Sequence, residues 1–145
     1  MINIFLPGEP DTATAQEKGI KIKKSRTGRY YPQFYDKPAV KKAKLNLAYS
    51  LMDHKPAEPI DGAVVVKIVW YFSRGTKPKK YINTYKETKP DLDNMSKNTL
   101  DILTKLKFWH DDGQVALLIL SKYWVEDKDA GIRIIIDKAG LNDDE

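Results

Sequence analysis

Five carboxylates, Asp91, Asp93, Asp101, Asp111 and Asp112, fall within 22 residues of a chain whose net charge is +5. Acids gathered inside a positive field are the donor set a divalent cation takes when it works on a phosphate. Lys97 stands among them, in the order Lys89-Pro90-Asp91-Leu92-Asp93-Asn94, Lys97, Asp101, then Trp109-His110-Asp111-Asp112-Gly113-Gln114. Leu92, Met95, Thr99, Ile102, Leu103 and Leu106 recur at helical spacing, which predicts a helix from Asp93 to Lys105 or Lys107. Along that helix Asp93, Lys97 and Asp101 succeed one another at i, i+4 and i+8, forming a polar row. Asp93 and Asp101 would lie about 12 Å apart along the axis, whereas Mg²⁺ holds its oxygens at about 2.0–2.1 Å. Asp101 is therefore a poor co-ligand for Asp93, and is expected to pair with Lys97 or to touch the following segment.

Asp91 precedes the helix in an extended segment set by Pro90, so Asp91 and Asp93 can converge on one ion if the turn curls. A plainer role competes, in which Asp93 caps the helix for about 1 kcal/mol. One cap leaves Asp91, Asp111 and Asp112 unexplained, although Asp-Asp-Gly by itself is a commonplace turn. Phe108-Trp109 can anchor a corner after the helix, and the strand opened by Gln114-Val115 would return the chain toward the helix start.

The elements that must position these groups are mixed. Ile2 to Leu6 reads as a first strand ended by Pro7-Gly8. Residues 9–35 show no clear period beyond a short strand at Gly19 to Lys23, and residues 18–35 are expected to be a basic loop able to close over a substrate. Asp36 is a candidate N-cap with Pro38 in the first turn of a helix to Asp53, whose apolar stripe is Leu45, Ala48, Tyr49 and Met52. Residues 62–73 are β-branched and aromatic almost throughout, which predicts a central strand covered on both faces. Strands at Gln114 to Val125 and Gly131 to Asp137 read most simply as an antiparallel pair turned by Glu126 to Asp129. Residues 138–145 form an acidic tail, expected to fray from Gly140 onward. The expected whole is one domain over residues 1–145, α+β (α/β), a mixed sheet packed with two main helices.

Charge is unevenly placed. Residues 18–44 hold ten basic side chains against Asp36, residues 74–89 hold six against Glu87, and the sign reverses from residue 126 onward. Tyr30, Tyr31, Phe34, Tyr35, Tyr81 and Tyr85 are threaded through the basic stretches. Cations for phosphates with aromatic faces for unpaired bases fit nucleic acid better than a membrane surface. With no cysteine, cysteine-based zinc sites and thiol nucleophiles are excluded, and having two histidines, His54 and His110, argues against a multi-histidine metal site. No apolar run reaches the roughly 20 residues that span a bilayer, and Met1 to Phe5 lacks the features of a signal peptide, so a cytoplasmic location is expected.

Lys89-Pro90-Asp91-Leu92-Asp93-Asn94, Lys97, Asp101, Phe108-Trp109, Asp111-Asp112 and Gln114-Val115 together resemble the RusA-type Holliday junction resolvases, small endodeoxyribonucleases common in phages and prophages. The resemblance is specific over residues 89–115 and compatible elsewhere. It implies that Asp91, Asp93 and Asp112 bind Mg²⁺ or Mn²⁺, that Lys97 matches the catalytic lysine, and that Asp111 is a further candidate ligand. It also implies a homodimer with two sites that cuts opposed strands of a four-way junction in recombination or repair. Lys97 would then stabilise charge on the phosphorane or orient the water, and clustered carboxylates should make activity fall at low pH. Lys23, Lys24, Arg26 and Arg29 are the expected DNA contacts. Two other readings use the same residues: a nuclease for flaps or other branched DNA, and a noncatalytic nucleic-acid-binding protein whose acids are caps and salt bridges.

Overall fold

The densest β-branched run in the chain builds the centre of the sheet. In the computed structural model, which describes residues 1–12 and 18–139, Val64–Ser73 is strand β4. Val64, Val66, Ile68, Trp70 and Phe72 alternate onto one buried face, and of the intervening residues Val69 is buried while Lys67 is exposed. The strand is central but not fully covered on both sides. Strands β1 (Ile2–Pro7), β5 (Val115–Val125) and β6 (Gly131–Lys138) complete a mixed sheet in the order β1-β6-β4-β5. β5 runs parallel to β4, and β6 runs antiparallel to both β4 and β1.

The expected hairpin between the last two strands is corrected here, because β4 lies between them. Its long apolar edges have two sets of ladder groups to satisfy, and β5 and β6 take one each. The polar segment 126–130 is a crossover over the end of β4 rather than a hairpin turn. The Arg74 backbone N–H donates to the Val125 carbonyl (2.8 Å), Arg74 Nε pairs with Glu126 Oε2 (3.1 Å), and Ser73 Oγ donates to Asp127.

Helix α1 spans Pro38–Met52 and helix α2 spans Leu92–Lys105. Both lie on the face of the sheet that carries Ile4, Ile134 and Ile136, and α2 fills the core with Met95, Ile102 and Leu103 along the stripe its period predicts. Each such side chain is worth about 1.5–3 kcal/mol when fully buried. Thr99 joins them by donating its hydroxyl to the Met95 carbonyl (3.2 Å).

Two expectations for α1 are corrected. Asp36 ends the preceding strand and is not the cap; its carboxylate instead accepts from Lys44 Nζ (3.1 Å), and Lys37 holds the cap position. The buried stripe is Val40, Ala43 and Leu51 with Leu47 and Ala48 half-buried, while Leu45, Tyr49 and Met52 are exposed. Both stripes have helical spacing, and packing against α2 and the sheet selects the one containing Val40 and Leu51.

The expected basic loop is a hairpin. Strands β2 (Lys18–Lys24) and β3 (Tyr30–Asp36) pair antiparallel in a sheet of their own. Ile20 faces Phe34 and Ile22 faces Pro32 on one side, and Lys21 faces Gln33 and Lys23 faces Tyr31 on the other. Gly19 leaves room for the Tyr35 ring, which an added Cβ would meet at 2.1 Å unless the ring shifted. The acidic residues 140–145 lie outside the described residues.

Candidate active site

The segment entering α2 is tied down from behind. Lys122, on the inner face of β5, donates to the carbonyls of Thr88 and Pro90, the latter at 2.8 Å. Lys86 Nζ donates to Thr88 Oγ1 (2.6 Å) and lies 4.0 Å from the centre of the Trp124 ring. Burial pushes the Lys86 ammonium below the usual lysine range, with the Lys122 and Lys77 charges adding to the effect and Glu9 opposing it. Neither lysine was among the residues expected at the site. The signal was available for Lys122, a cation at an inward position between Leu120 and Trp124 in an otherwise apolar strand.

Asp91 occupies the N-cap position of α2 without capping through its side chain, and its carbonyl accepts from Met95 N (3.1 Å). Asp93 lies in the first turn, and Asp91, Asp93 and Lys97 are all exposed. None of these three side chains has a hydrogen bond or ion pair among the described residues. The expected pairing of Asp101 with Lys97 is corrected: Asp101 pairs with Lys105 at 3.0 Å and approaches Lys44 at 4.0 Å.

The corner after the helix is fixed by its core residues and one amide. Phe108 and Trp109 are fully buried. Gln114 Oε1 accepts from His110 N (2.7 Å) and Asp111 N (2.9 Å), while its Nε2 donates to the carbonyls of Ile60 (2.8 Å) and Gly62 (2.9 Å). Asp111 caps the short turn Asp112–Gln114 by accepting from Gly113 N (3.1 Å), which is a local structural role. Asp112 accepts from the Thr104 hydroxyl, and Thr104 Oγ1 accepts from Trp109 Nε1 (2.7 Å).

Lys97 and Asp112 line one open cavity with Lys44, Asn98, Leu100, Asp101 and Val115. Asp91 and Asp93 do not line it. The carboxylate donors are the right chemistry for Mg²⁺, but the chain by itself does not bring the three expected ligands together. Among the described residues no three His, Asp or Glu side chains are grouped closely enough to hold a metal ion.

The candidate DNA contacts sit on the hairpin. Lys23 and Lys24 are on its opposite faces, Lys24 Nζ lies 5.7 Å from the Tyr30 ring centre, and Arg26 and Arg29 are at the tip. All four are exposed. No helix among the described residues is long and apolar enough to cross a membrane.

Comparison with known proteins places the sequence in a family. A family described as "Endodeoxyribonuclease RusA" matches residues 7–137. The "Crossover junction endodeoxyribonuclease rusA" of Lactococcus phage r1t is 37% identical over 109 residues, covering 75% of this chain and 78% of that protein. The match takes in the hairpin, both helices and the corner that carries Asp112, and so the chain belongs to the RusA endodeoxyribonuclease family.

Proposed function

We propose that this protein is an endodeoxyribonuclease that resolves four-way DNA by paired hydrolysis of opposed phosphodiester bonds, with Mg²⁺ as the required ion and Mn²⁺ as its substitute. The setting is recombination or repair of phage or host DNA in the cytoplasm. The carrying observation is the trio Asp91, Asp93 and Lys97, exposed at the start of α2 with no hydrogen-bond or ion-pair partner among the described residues for any of the three charges. Charged groups left unneutralised on a rigid, buried-core helix are held ready for a ligand. Lys97 supplies a cation one turn beyond Asp93, placed to offset charge growing on the scissile phosphate. The basic hairpin supplies the phosphate contacts that hold a branched duplex.

Two coordinated cuts require two sites, hence a homodimer. Ile134 and Ile136 of β6 are fully buried and serve the core. Leu45, Tyr49 and Met52 on α1 form an exposed stripe on the helix whose Lys44 lines the cavity with Lys97 and Asp112. That stripe is the seam best placed to set two sites against one substrate. Leu117 and Ile119 on the other face of the sheet, and Ile20, Ile22 and Phe34 on the hairpin, are further exposed apolar candidates.

The test is cleavage of a synthetic four-way junction with mapped nick positions, run with and without Mg²⁺ beside three-way, flap and linear substrates. Symmetric paired nicks on the four-way substrate are expected, and Asp93→Asn should abolish them while leaving the fold and junction binding intact. Equal cutting of flaps, or binding without any cutting, would replace the proposal.

A further inference from the structure

The face of the main sheet turned away from the helices carries a row of aromatic rings that the proposed chemistry leaves unused. Phe5, Tyr71 and Tyr123 alternate onto that face of β1, β4 and β5, and Tyr85 pairs with Tyr123 at the free edge of β5. The Phe5 and Tyr71 ring centres lie 6.4 Å apart, Tyr71 and Tyr123 stack at 6.1 Å, and Tyr123 and Tyr85 stack at 4.9 Å with 26° between their planes. These are the separations of attractive aromatic pairs. Gly131 keeps the row continuous, because the Phe5 ring crosses β6 there and an added Cβ would meet it at 2.5 Å. The two ends of the row differ. At Phe5 the Arg133 guanidinium lies 5.0 Å from the ring centre and donates to Asn3 Oδ1 (2.8 Å), which closes that end. At the other end Tyr85 is 72% exposed, and among the described residues Tyr123 is the one ring against it.

Tyr85 is exposed yet fixed in advance. Asn83 N donates to the Trp124 carbonyl (2.7 Å), Trp124 N to the Thr84 carbonyl (2.9 Å) and Lys86 N to the Lys122 carbonyl (3.0 Å), so residues 83–86 lie along β5. The Tyr123 side chain hydrogen-bonds the Tyr85 phenol and raises it above the usual tyrosine range. A ring held this way loses little freedom when a ligand arrives. Tyr81 in the same stretch is already spent, with Lys77 and Lys80 at 5.3 and 5.4 Å from its ring centre and its body packed on the core. Around Tyr85 the sequence supplies Lys77, Lys79, Lys80, Lys86 and Lys89 against Glu87, and Lys79, Lys80 and Lys89 are exposed, as phosphate contacts need. Asp91 follows six residues later, at most about 20 Å along the chain. Lys122 ties the two together, accepting from Lys86 N and donating to the Pro90 carbonyl. Stacked DNA advances about 3.4 Å per nucleotide, which puts the ring within about six nucleotides of a phosphate at Asp91.

Resting on the proposed nuclease reading, we propose that Tyr85 receives an unpaired base of the branched DNA, stacked on its outer face within about six nucleotides of the phosphate that is cut. The base becomes the next ring of the row. Taking a base out of a duplex costs unstacking and unpairing energy, and the cost is least where the helix is already interrupted, as at a branch point. An aromatic face accepts every base, so the contact selects opened structure rather than sequence. Tyr85 thereby determines which DNA is held at the entry to α2, separately from the acids and Lys97.

The test measures binding of synthetic four-way junctions by fluorescence anisotropy without divalent metal, each junction carrying one abasic site placed within about six nucleotides of the crossover. Tyr85→Ala should weaken binding of the unmodified junction by about five- to 150-fold. Wild type should lose as much at one particular abasic position, and there Tyr85→Ala should add nothing further. Tyr85→Phe and Tyr85→Trp should keep wild-type affinity. Equal loss on every junction, or no loss, would overturn the proposal. A lowered mass in light scattering without the base-dependent loss would overturn it too, by assigning the ring to a second copy of the chain. Wild type irradiated on junctions carrying 5-iodouracil at the same positions should crosslink at Tyr85, which decides the matter if Tyr85→Ala loses its native circular dichroism. Crosslinks that all fall elsewhere would then overturn it. Cleavage is read separately with Mg²⁺: a wild type that crosslinks through Tyr85 but cuts nothing sinks the nuclease reading alone, and paired cutting with no base-dependent effect of Tyr85 sinks this inference alone.

Discussion

At the residue scale, the polar side chains divide into those spent on structure and those left free. Asp101, Asp111 and Gln114 are spent, on Lys105, on Gly113 and on four backbone groups. Asp91, Asp93 and Lys97 have no side-chain partner among the described residues. Lys86 is an intermediate case with a measurable consequence. Its folded-state pKa lies below the unfolded value of 10.5, so the unfolded chain binds more protons in the window between the two. Stability from this group is fully present above 10.5 and is lost as pH falls through the lowered pKa. Denaturation midpoints of the wild type should rise toward that alkaline limit relative to Lys86→Met, and parallel pH profiles for the two would show that burial does not control this group. The motif around Asp91 was legible because residue types and spacing agree over a long stretch. The role of Asp111 was not, since it depends on a hydrogen-bond partner that no spacing reveals, and for Lys122 the inward position was legible while its carbonyl partners were not.

At the element scale, local periodicity was read well where one face is buried and poorly where none is. The stripe of α2 and the run of β4 announced themselves because the core selects apolar residues at a fixed period. β3 was missed, since Tyr30, Tyr31, Pro32 and Phe34 are all exposed and no core imposes alternation on them. The hairpin nevertheless sorts its own faces, with Ile20, Ile22, Pro32 and Phe34 on one and Lys21, Lys23 and Tyr31 on the other. A two-stranded ribbon is marginal alone, so its ordering should deepen when it meets DNA or a second copy. Neutral substitutions at Lys23, Lys24, Arg26 and Arg29 should lower the log–log salt dependence of junction binding by up to about 3.6, at about 0.9 per lost phosphate contact. A salt titration with an unchanged slope would move the DNA face elsewhere.

At the scale of the whole molecule, three exposed apolar surfaces compete as the seam of the proposed dimer: α1, the outer face of β5, and the Ile20, Ile22 and Phe34 face of the hairpin. Leu45→Glu with Tyr49→Glu should shift the mass in light scattering from dimer to monomer while circular dichroism stays native. An unchanged mass would move the seam to Leu117 and Ile119 or to the apolar face of the hairpin. Topology was the least legible property, because the order of strands depends on how β5 and β6 divide the two edges of β4, not on their own composition. That order also governs how the protein can be made. Every ladder of the main sheet, β1 with β6, β4 with β5 and β4 with β6, requires a strand that begins at Val115 or later. A ribosome must therefore complete more than three quarters of the chain before the first pairing partner of Val64–Ser73 exists. Until then the nascent polypeptide carries an unpaired, strongly apolar strand, the kind of segment that aggregates or recruits chaperones. Messages truncated before Val115 should yield only insoluble or degraded product, and slow translation should cost this protein yield before it costs activity.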